Sequence, residues 1–160
     1  MRRDKINYYL DIAETVSERS TCLRRHYGAI IVNNDQIIST GYVGAPRGRK
    51  NCSDLGTCTR QKLEVPRGER YELCRSVHAE QNAIISASRN DMLGGVLYLC
   101  GKEIDGSYVK NASPCTLCRR FIINAGLKQV IVRNDAEDYS IIDVQSMIDD
   151  DDSLTGVSPY

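Results

Sequence analysis

The stretch "GGVLYLCGKEIDGSYVKNASPCTLCRRFIINAGLKQVIVRN", residues 94–134, decides the fold. Its opening "GGVLYLC" is an apolar run behind two glycines, the pattern of a strand buried on both faces. "GKEIDGSYVKNASP" reads as a loop with a short hairpin. Residues 115–125 read as a helix stopped by Gly126, since glycine readily takes the left-handed conformation that ends a helix. "KQVIVRN" is a second buried strand. Buried strands alternating with a helix predict an α/β domain around a mixed sheet.

Working outward, Ile6, Tyr9, Leu10, Ala13 and Val16 recur at helical spacing, with Asp4 as a cap. "YGAIIVNNDQIISTGY" reads as two strands, 27–32 and 36–42, joined by an Asn-Asn-Asp turn. Residues 44–70 are rich in Gly, Pro, Arg and Cys and lack periodicity, so an ordered loop is expected there. A loop that long in one domain is either functional or tied down. Residues 76–90 read as a helix with Ala83, Ile84 and Ala87 on its buried face, and "YSIIDVQSMI" as one amphipathic piece. The reading is therefore one domain over 1–148, followed by an acidic, solvated and flexible tail over 149–160.

The chain has 160 residues, 41% hydrophobic and 26% charged, as soluble globular proteins have. Lys plus Arg and Asp plus Glu balance at 21 each, so no overall field draws it to nucleic acid or a membrane surface. No apolar run approaches a membrane span or a signal peptide, and a cytoplasmic protein is expected. Thiols stay reduced in that compartment. The seven cysteines then point to metal before disulfides.

Cys115 and Cys118 lie three residues apart in "ASPCTLCRRF". With Pro114 in the first helical turn, both sulfurs fall on one side of a helix N-terminus, where free N–H groups and the dipole favour thiolates. Such a pair serves equally as a redox couple, half of a structural zinc site, or part of a catalytic one. A third ligand decides among them. His78, one of only two histidines, opens the preceding helix in "CRSVHAEQNAIISASRN", residues 74–90. Two cysteines and one histidine leave tetrahedral zinc an open position, which suits catalysis. Glu80 follows His78 by two residues, close enough to exchange a proton with a metal-activated water.

H-x-E followed by P-C-x-x-C is the signature of the zinc-dependent deaminases. "TCLRRHYGAIIV" (21–32), "IISTGYVGAPRG" (37–48), "HAEQNAI" (78–84) and "RRFIINAGLKQVIV" (119–132) resemble the deoxycytidylate (dCMP) deaminases of the cytidine deaminase superfamily. The resemblance covers residues 20–132. It implies a cytidine deaminase-like, three-layer α/β/α fold with a mixed central sheet of about five strands. It implies His78, Cys115 and Cys118 as zinc ligands and Glu80 as the proton shuttle. The reaction the resemblance implies is attack at C4 of cytosine, protonation of N3 and loss of ammonia. Ala79 and Ser113 would hold the base, Ala45 would sit beside the substrate, and Arg24, Arg25, Arg47 and Arg49 are candidates for its 5′-phosphate. The family's G-Y-N-G reads G-Y-V-G here: Val43 replaces an asparagine that contacts substrate, and valine has no side-chain hydrogen bond to offer. The loss of one such bond can exchange one preferred nucleotide for another.

Some dCMP deaminases carry a structural zinc on cysteines matching Cys22 and Cys52. Cys58 and Cys74 would complete a Cys₄ shell pinning the long loop, the alternative being small buried thiols. Cys100 reads as core, and His26 as surface or pocket. The resemblance further implies a homo-oligomer, a hexamer being one form, and dCTP or dTTP as effectors near the "GAPRG" loop, residues 44–48. Two rivals stand beside the dCMP reading. One is the same chemistry on another pyrimidine; the other is a non-catalytic binding module that zinc stabilises. Glu80, neutral net charge, one Phe and no Trp count against the module.

Overall fold

In the computed structural model, which describes residues 1–150, the Asp4 side chain accepts the Asn7 N–H and starts helix α1 (Lys5–Ser17). Strands β1 (Arg25–Asn33) and β2 (Gln36–Tyr42) follow, joined at Asn34 and Asp35, both at positive φ. Positive φ at both central residues is the type I′ geometry whose twist matches a hairpin. Strands β3 (Val96–Glu103), β4 (Gln129–Arg133) and β5 (Tyr139–Asp143) complete a sheet ordered β2-β1-β3-β4-β5. Only β3 and β4 run parallel, which makes the sheet mixed as expected. Their connection carries helix α6 (Thr116–Asn124), the crossover that parallel neighbours require.

Alternation along β1 divides the core. Ala29 and Ile31 join Leu97, Leu99, Val130 and Val132 on one face, beneath α6 and helix α4 (Ala79–Ile85). Ile30 and Val32 join Tyr98, Cys100 and Ile131 on the other, beneath Tyr9, Leu10 and Ala13 of α1. Cys100 is core, as its position in an apolar strand suggests. On the α1 face, Arg133 is 1% exposed at the end of a buried strand. A buried cation needs charged partners. α1 supplies them: Glu14 and Asp11 each at 2.8 Å, and Asn7 Oδ1 at 3.0 Å.

Four boundaries differ from the sequence reading. The helix expected over 76–90 is shorter and divided: α4 ends at Ile85, and Ser88 caps a separate α5 (Arg89–Met92) by accepting the Asp91 N–H. Residue periodicity continues through the break, but the serine caps interrupt it. Cys115 is the N-cap of α6 and not its first turn, so Pro114 stands just outside the helix. The 139–148 segment is strand β5 followed by α7 (Val144–Asp149), because β4 offers an edge that pairs with Tyr139–Asp143. The loop over 44–70 contains two short helices, α2 (Cys52–Leu55) and α3 (Thr59–Lys62). Helix α7 includes Asp149, and the acidic tail expected beyond it lies, over 151–160, outside the described residues.

Candidate active site

Two helix starts meet beside the C-terminal end of β2. His78 is the N-cap of α4, and its N–H donates to Gln81 Oε1 at 2.9 Å, a reciprocal cap that orients the first turn. Cys115 caps α6, its sulfur accepting the Cys118 N–H at 3.4 Å. Gly44 and Val77 exchange backbone hydrogen bonds at 2.7 and 3.2 Å, which draws Val43 against the residue before His78. Asn82 Nδ2 donates to Tyr42 O at 2.8 Å and holds α4 to that strand end.

His78 Nδ1 lies 3.3 Å from Cys118 Sγ and 3.5 Å from Cys115 Sγ. Tetrahedral zinc, with bonds of about 2.0 Å to nitrogen and 2.3 Å to sulfur, sets those atoms about 3.5 Å apart. The triad therefore fits zinc in both donor type and spacing. It is the one cluster among the described residues with three ligand atoms within 4.8 Å of one another.

The protons in this cluster are strongly displaced. Burial would lower His78, but the thiols of Cys115 and Cys74 and the Glu80 carboxylate hold its proton, and it is raised to about 10. The hydrogen bond from Cys118 and then the imidazole outweigh burial at Cys115 and hold it down to about 4. As donor to Cys115, and by burial, Cys118 is pushed well above the usual thiol range. Glu80 is 5% exposed, and its burial raises the carboxyl above its ordinary value.

Ligands must shed protons to bind metal. Zinc loading at pH 7 is thus expected to release two protons, one from His78 and one from Cys118, with Cys115 already a thiolate. Affinity accordingly rises with pH towards 10, where the imidazole loses its proton. Calorimetry in buffers of different ionisation enthalpy measures the release; a value near zero contradicts this ligand set.

Above the triad opens a cavity of about 440 Å³. Glu80, His78, Cys115, Val43 and Ser113 all line it, and Ala79, fully buried, lies between His78 and Glu80 on α4. Of the arginines singled out, Arg24 and Arg25 line the cavity whereas Arg47 and Arg49 are exposed away from it. Arg25 is engaged by Glu103 on the neighbouring strand at 2.9 and 3.2 Å. Ala45 is likewise outside the cavity, its N–H donating to Asn51 Oδ1 at 3.0 Å. The segment turns away after Gly44 because Asn51 collects both the Ala45 N–H and the Thr21 hydroxyl.

Several lining residues escaped the sequence reading, among them Arg60 and Arg67 from the long loop and Tyr71 just after it. That loop is arginine-rich, a usable signal, but its path over the site is set by contacts distant in sequence. The four thiols expected to form a second zinc shell are not gathered into one here. Cys22 and Cys74 line the main cavity, Cys58 caps α3, and buried Cys52 has its sulfur 3.9 Å from Ser76 Oγ. They still share one neighbourhood, since burial and then the sulfurs of Cys22, Cys74 and Cys58 raise Cys52. His26 lines a smaller recess with Glu14 and Lys102, apart from the triad. Among the described residues no helix is long and apolar enough to cross a membrane.

Comparison with known proteins agrees with this geometry. The deoxycytidylate deaminase of Mycobacterium phage D29 is 34% identical over 135 residues, covering 81% of this chain and 94% of that protein. The deoxycytidylate deaminase of Schizosaccharomyces pombe is 30% identical over 125 residues, 78% of this chain but 35% of that longer protein. A crystal structure of dCMP deaminase from the cyanophage S-TIM5 superposes with a TM-score of 0.59 at 29% identity, over 86% of this chain and 88% of that one. Residues 3–134 match the model of the cytidine and deoxycytidylate deaminase zinc-binding region, and the chain belongs to that family.

Proposed function

We propose that this chain is a zinc-dependent hydrolase that deaminates a deoxycytidine nucleotide, converting dCMP and water to dUMP and ammonia. The observation that carries the proposal is a buried carboxylate, Glu80, beside a His/Cys/Cys triad on the wall of a cavity also lined by Arg24, Arg25, Arg60 and Arg67. Relatives named deoxycytidylate deaminase, and a cyanophage structure in complex with dCMP and dUMP, support the same substrate.

His78, Cys115 and Cys118 would hold the metal. Zinc bound there supplies Lewis-acid activation of water at neutral pH. Glu80 takes one proton from the water and delivers it to the ring nitrogen N3, where it stays. It then takes the remaining proton of the hydroxyl added at C4 and gives it to the amino group, which leaves as ammonia as the C4 carbonyl forms. Burial suits it to this work: a carboxyl raised towards the working pH both accepts and returns a proton readily. The cavity wall at Ser113 and the start of α4 at Ala79 position the pyrimidine. Arg24 and Arg67, which line the cavity, have no ion-pair partner among the described residues, which leaves their guanidiniums for the 5′-phosphate. Val43 presents an apolar surface to the substrate, so the sugar is bound without a side-chain hydrogen bond from that position. A cytoplasmic homo-oligomer regulated by dCTP or dTTP completes the proposal, with Cys22, Cys52, Cys58 and Cys74, whose sulfurs share one neighbourhood, as the ligands of a second zinc.

Ammonia release from dCMP, CMP, dCTP, deoxycytidine and cytidine tests the reading, with dCMP expected as the preferred substrate; activity on none of them rejects it. Arg24→Ala and Arg67→Ala are each expected to raise KM for dCMP about tenfold or more, as loss of a charge-assisted hydrogen bond does, while barely changing deoxycytidine turnover. Equal effects on both substrates would remove the arginines from the phosphate.

A further inference from the structure

Arg60 is a buried cation without a carboxylate. It is 7% exposed, and no acidic side chain pairs with it among the described residues. Its Nε donates to Glu69 O and its second guanidinium nitrogen to Pro66 O, both at 3.1 Å, so the side chain ties the loop to itself. Its guanidinium carbon lies 4.6 Å from the centroid of the Tyr71 ring, over the face. A desolvated guanidinium on an aromatic face is a firm attachment. Tyr71, in a single 3₁₀ turn over Tyr71–Leu73, also meets His78: their ring centroids are 5.0 Å apart and the planes stand at 88°. Three side chains thus stand in a row from the loop to the imidazole: Arg60, Tyr71 and His78.

We propose that Tyr71, clamped by Arg60, is a positioning residue for His78, orienting the imidazole so that Nδ1 faces the two thiols before the metal arrives. The inference rests on reading His78, Cys115 and Cys118 as the zinc ligands. His78 sits at the N-cap of α4, and the Tyr71 ring packs edge-on against its imidazole from the loop side. An edge-to-face aromatic neighbour restricts rotation of that ring, since aromatic pairs favour a narrow set of geometries. Groups that orient a metal-bound histidine usually act through a hydrogen bond to its second nitrogen; here a packed ring does part of that work. The long loop acquires a function beyond covering the cavity: its own folding, closed by Arg60, is conveyed to the metal through one aromatic contact.

The test measures zinc affinity by chelator competition, and the visible absorption of the cobalt-substituted protein, for the full chain and its variants. Tyr71→Leu is expected to weaken zinc about tenfold, at the lower end for outer partners of a metal ligand, and to alter the cobalt bands. Tyr71→Phe restores both, because no hydrogen bond reaches the Tyr71 hydroxyl among the described residues. Arg60→Gln keeps the ring but removes the cation and gives a smaller loss in the same direction. A Tyr71→Leu protein with wild-type zinc affinity and cobalt spectrum overturns the inference. If Tyr71→Leu does not fold, Arg60→Gln decides, and wild-type affinity there overturns it too. His78→Ala is the control for the underlying reading. If it loses zinc while Tyr71→Leu does not, only the positioning inference falls; if it retains zinc, the ligand assignment itself falls.

Discussion

Glu80→Gln is expected to yield a folded, zinc-loaded protein that turns over about 10²- to 10⁴-fold more slowly, the range that a positioned general acid–base supplies. Glutamine keeps the shape and hydrogen-bonding reach of the side chain but cannot carry a proton between water and ring. The carboxyl is 5% exposed, so solvent does not replace it easily. The same substitution should stabilise the metal-free protein. Burial raises Glu80 in the folded state above its ordinary 4.5, so ionisation opposes folding. The sign follows from linkage: the penalty is absent below about pH 4.5, where both states are protonated, and grows as pH rises from there to the folded-state pKa. Metal-free Glu80→Gln should therefore melt above wild type at pH 7 and level with it near pH 4. Undiminished turnover would remove Glu80 from the chemistry; loss of zinc alongside activity would assign it a structural role.

Gly41→Ala is expected to be among the most damaging single-methyl changes, alongside Gly28→Ala, whose Cβ would fall equally close to the backbone of α1. A Cβ there falls 2.3 Å from Ala83 N and 2.4 Å from Ala79 O, both backbone atoms of α4. No rotamer relieves a clash with backbone, so the helix itself must move. Overpacking of this kind costs about 1–3 kcal/mol and sometimes more. Because α4 carries Glu80 and is capped by His78, its displacement also shifts the proton carrier relative to the metal ligands. Misplacement by about 1 Å can lower turnover about 10²-fold. Thermal melting and kcat measured together check this. Gly44→Ala is the control: its nearest neighbours would lie at 3.7 Å and its φ is not left-handed, so a stability close to wild type is expected. If Gly41→Ala melts like Gly44→Ala, α4 is not packed as tightly as this.

These two positions differ in how far the sequence discloses them. Glu80 was legible because His78 lies two residues away and the P-C-x-x-C follows, a pattern with few other uses. Gly41 stands in a strand as one small residue among several, and only its closeness to α4 explains it. Arg133 is similar. A cation ending the apolar run "KQVIVRN" signals a missing partner, yet nothing in that segment says that Glu14 and Asp11 on the first helix provide it.

By itself the sequence determined α1, α6, the strands β1 to β4 and the spacing of the candidate triad. Strand alternation, helix periodicity, the Asp4 cap and the Cys-x-x-Cys spacing depend on contacts a few residues long, and these survive whatever the rest of the chain does. Tertiary structure alone decided which arginines line the cavity. Arg24 and Arg67 point to one space while Arg47 and Arg49 do not, because the chain leaves β2 under the direction of Asn51 and Val77. It also decided that Tyr71 stands edge-on against His78, with Arg60 over its ring. Loop paths follow from long-range hydrogen bonds and buried partners, which carry no local period from which the sequence alone could be read.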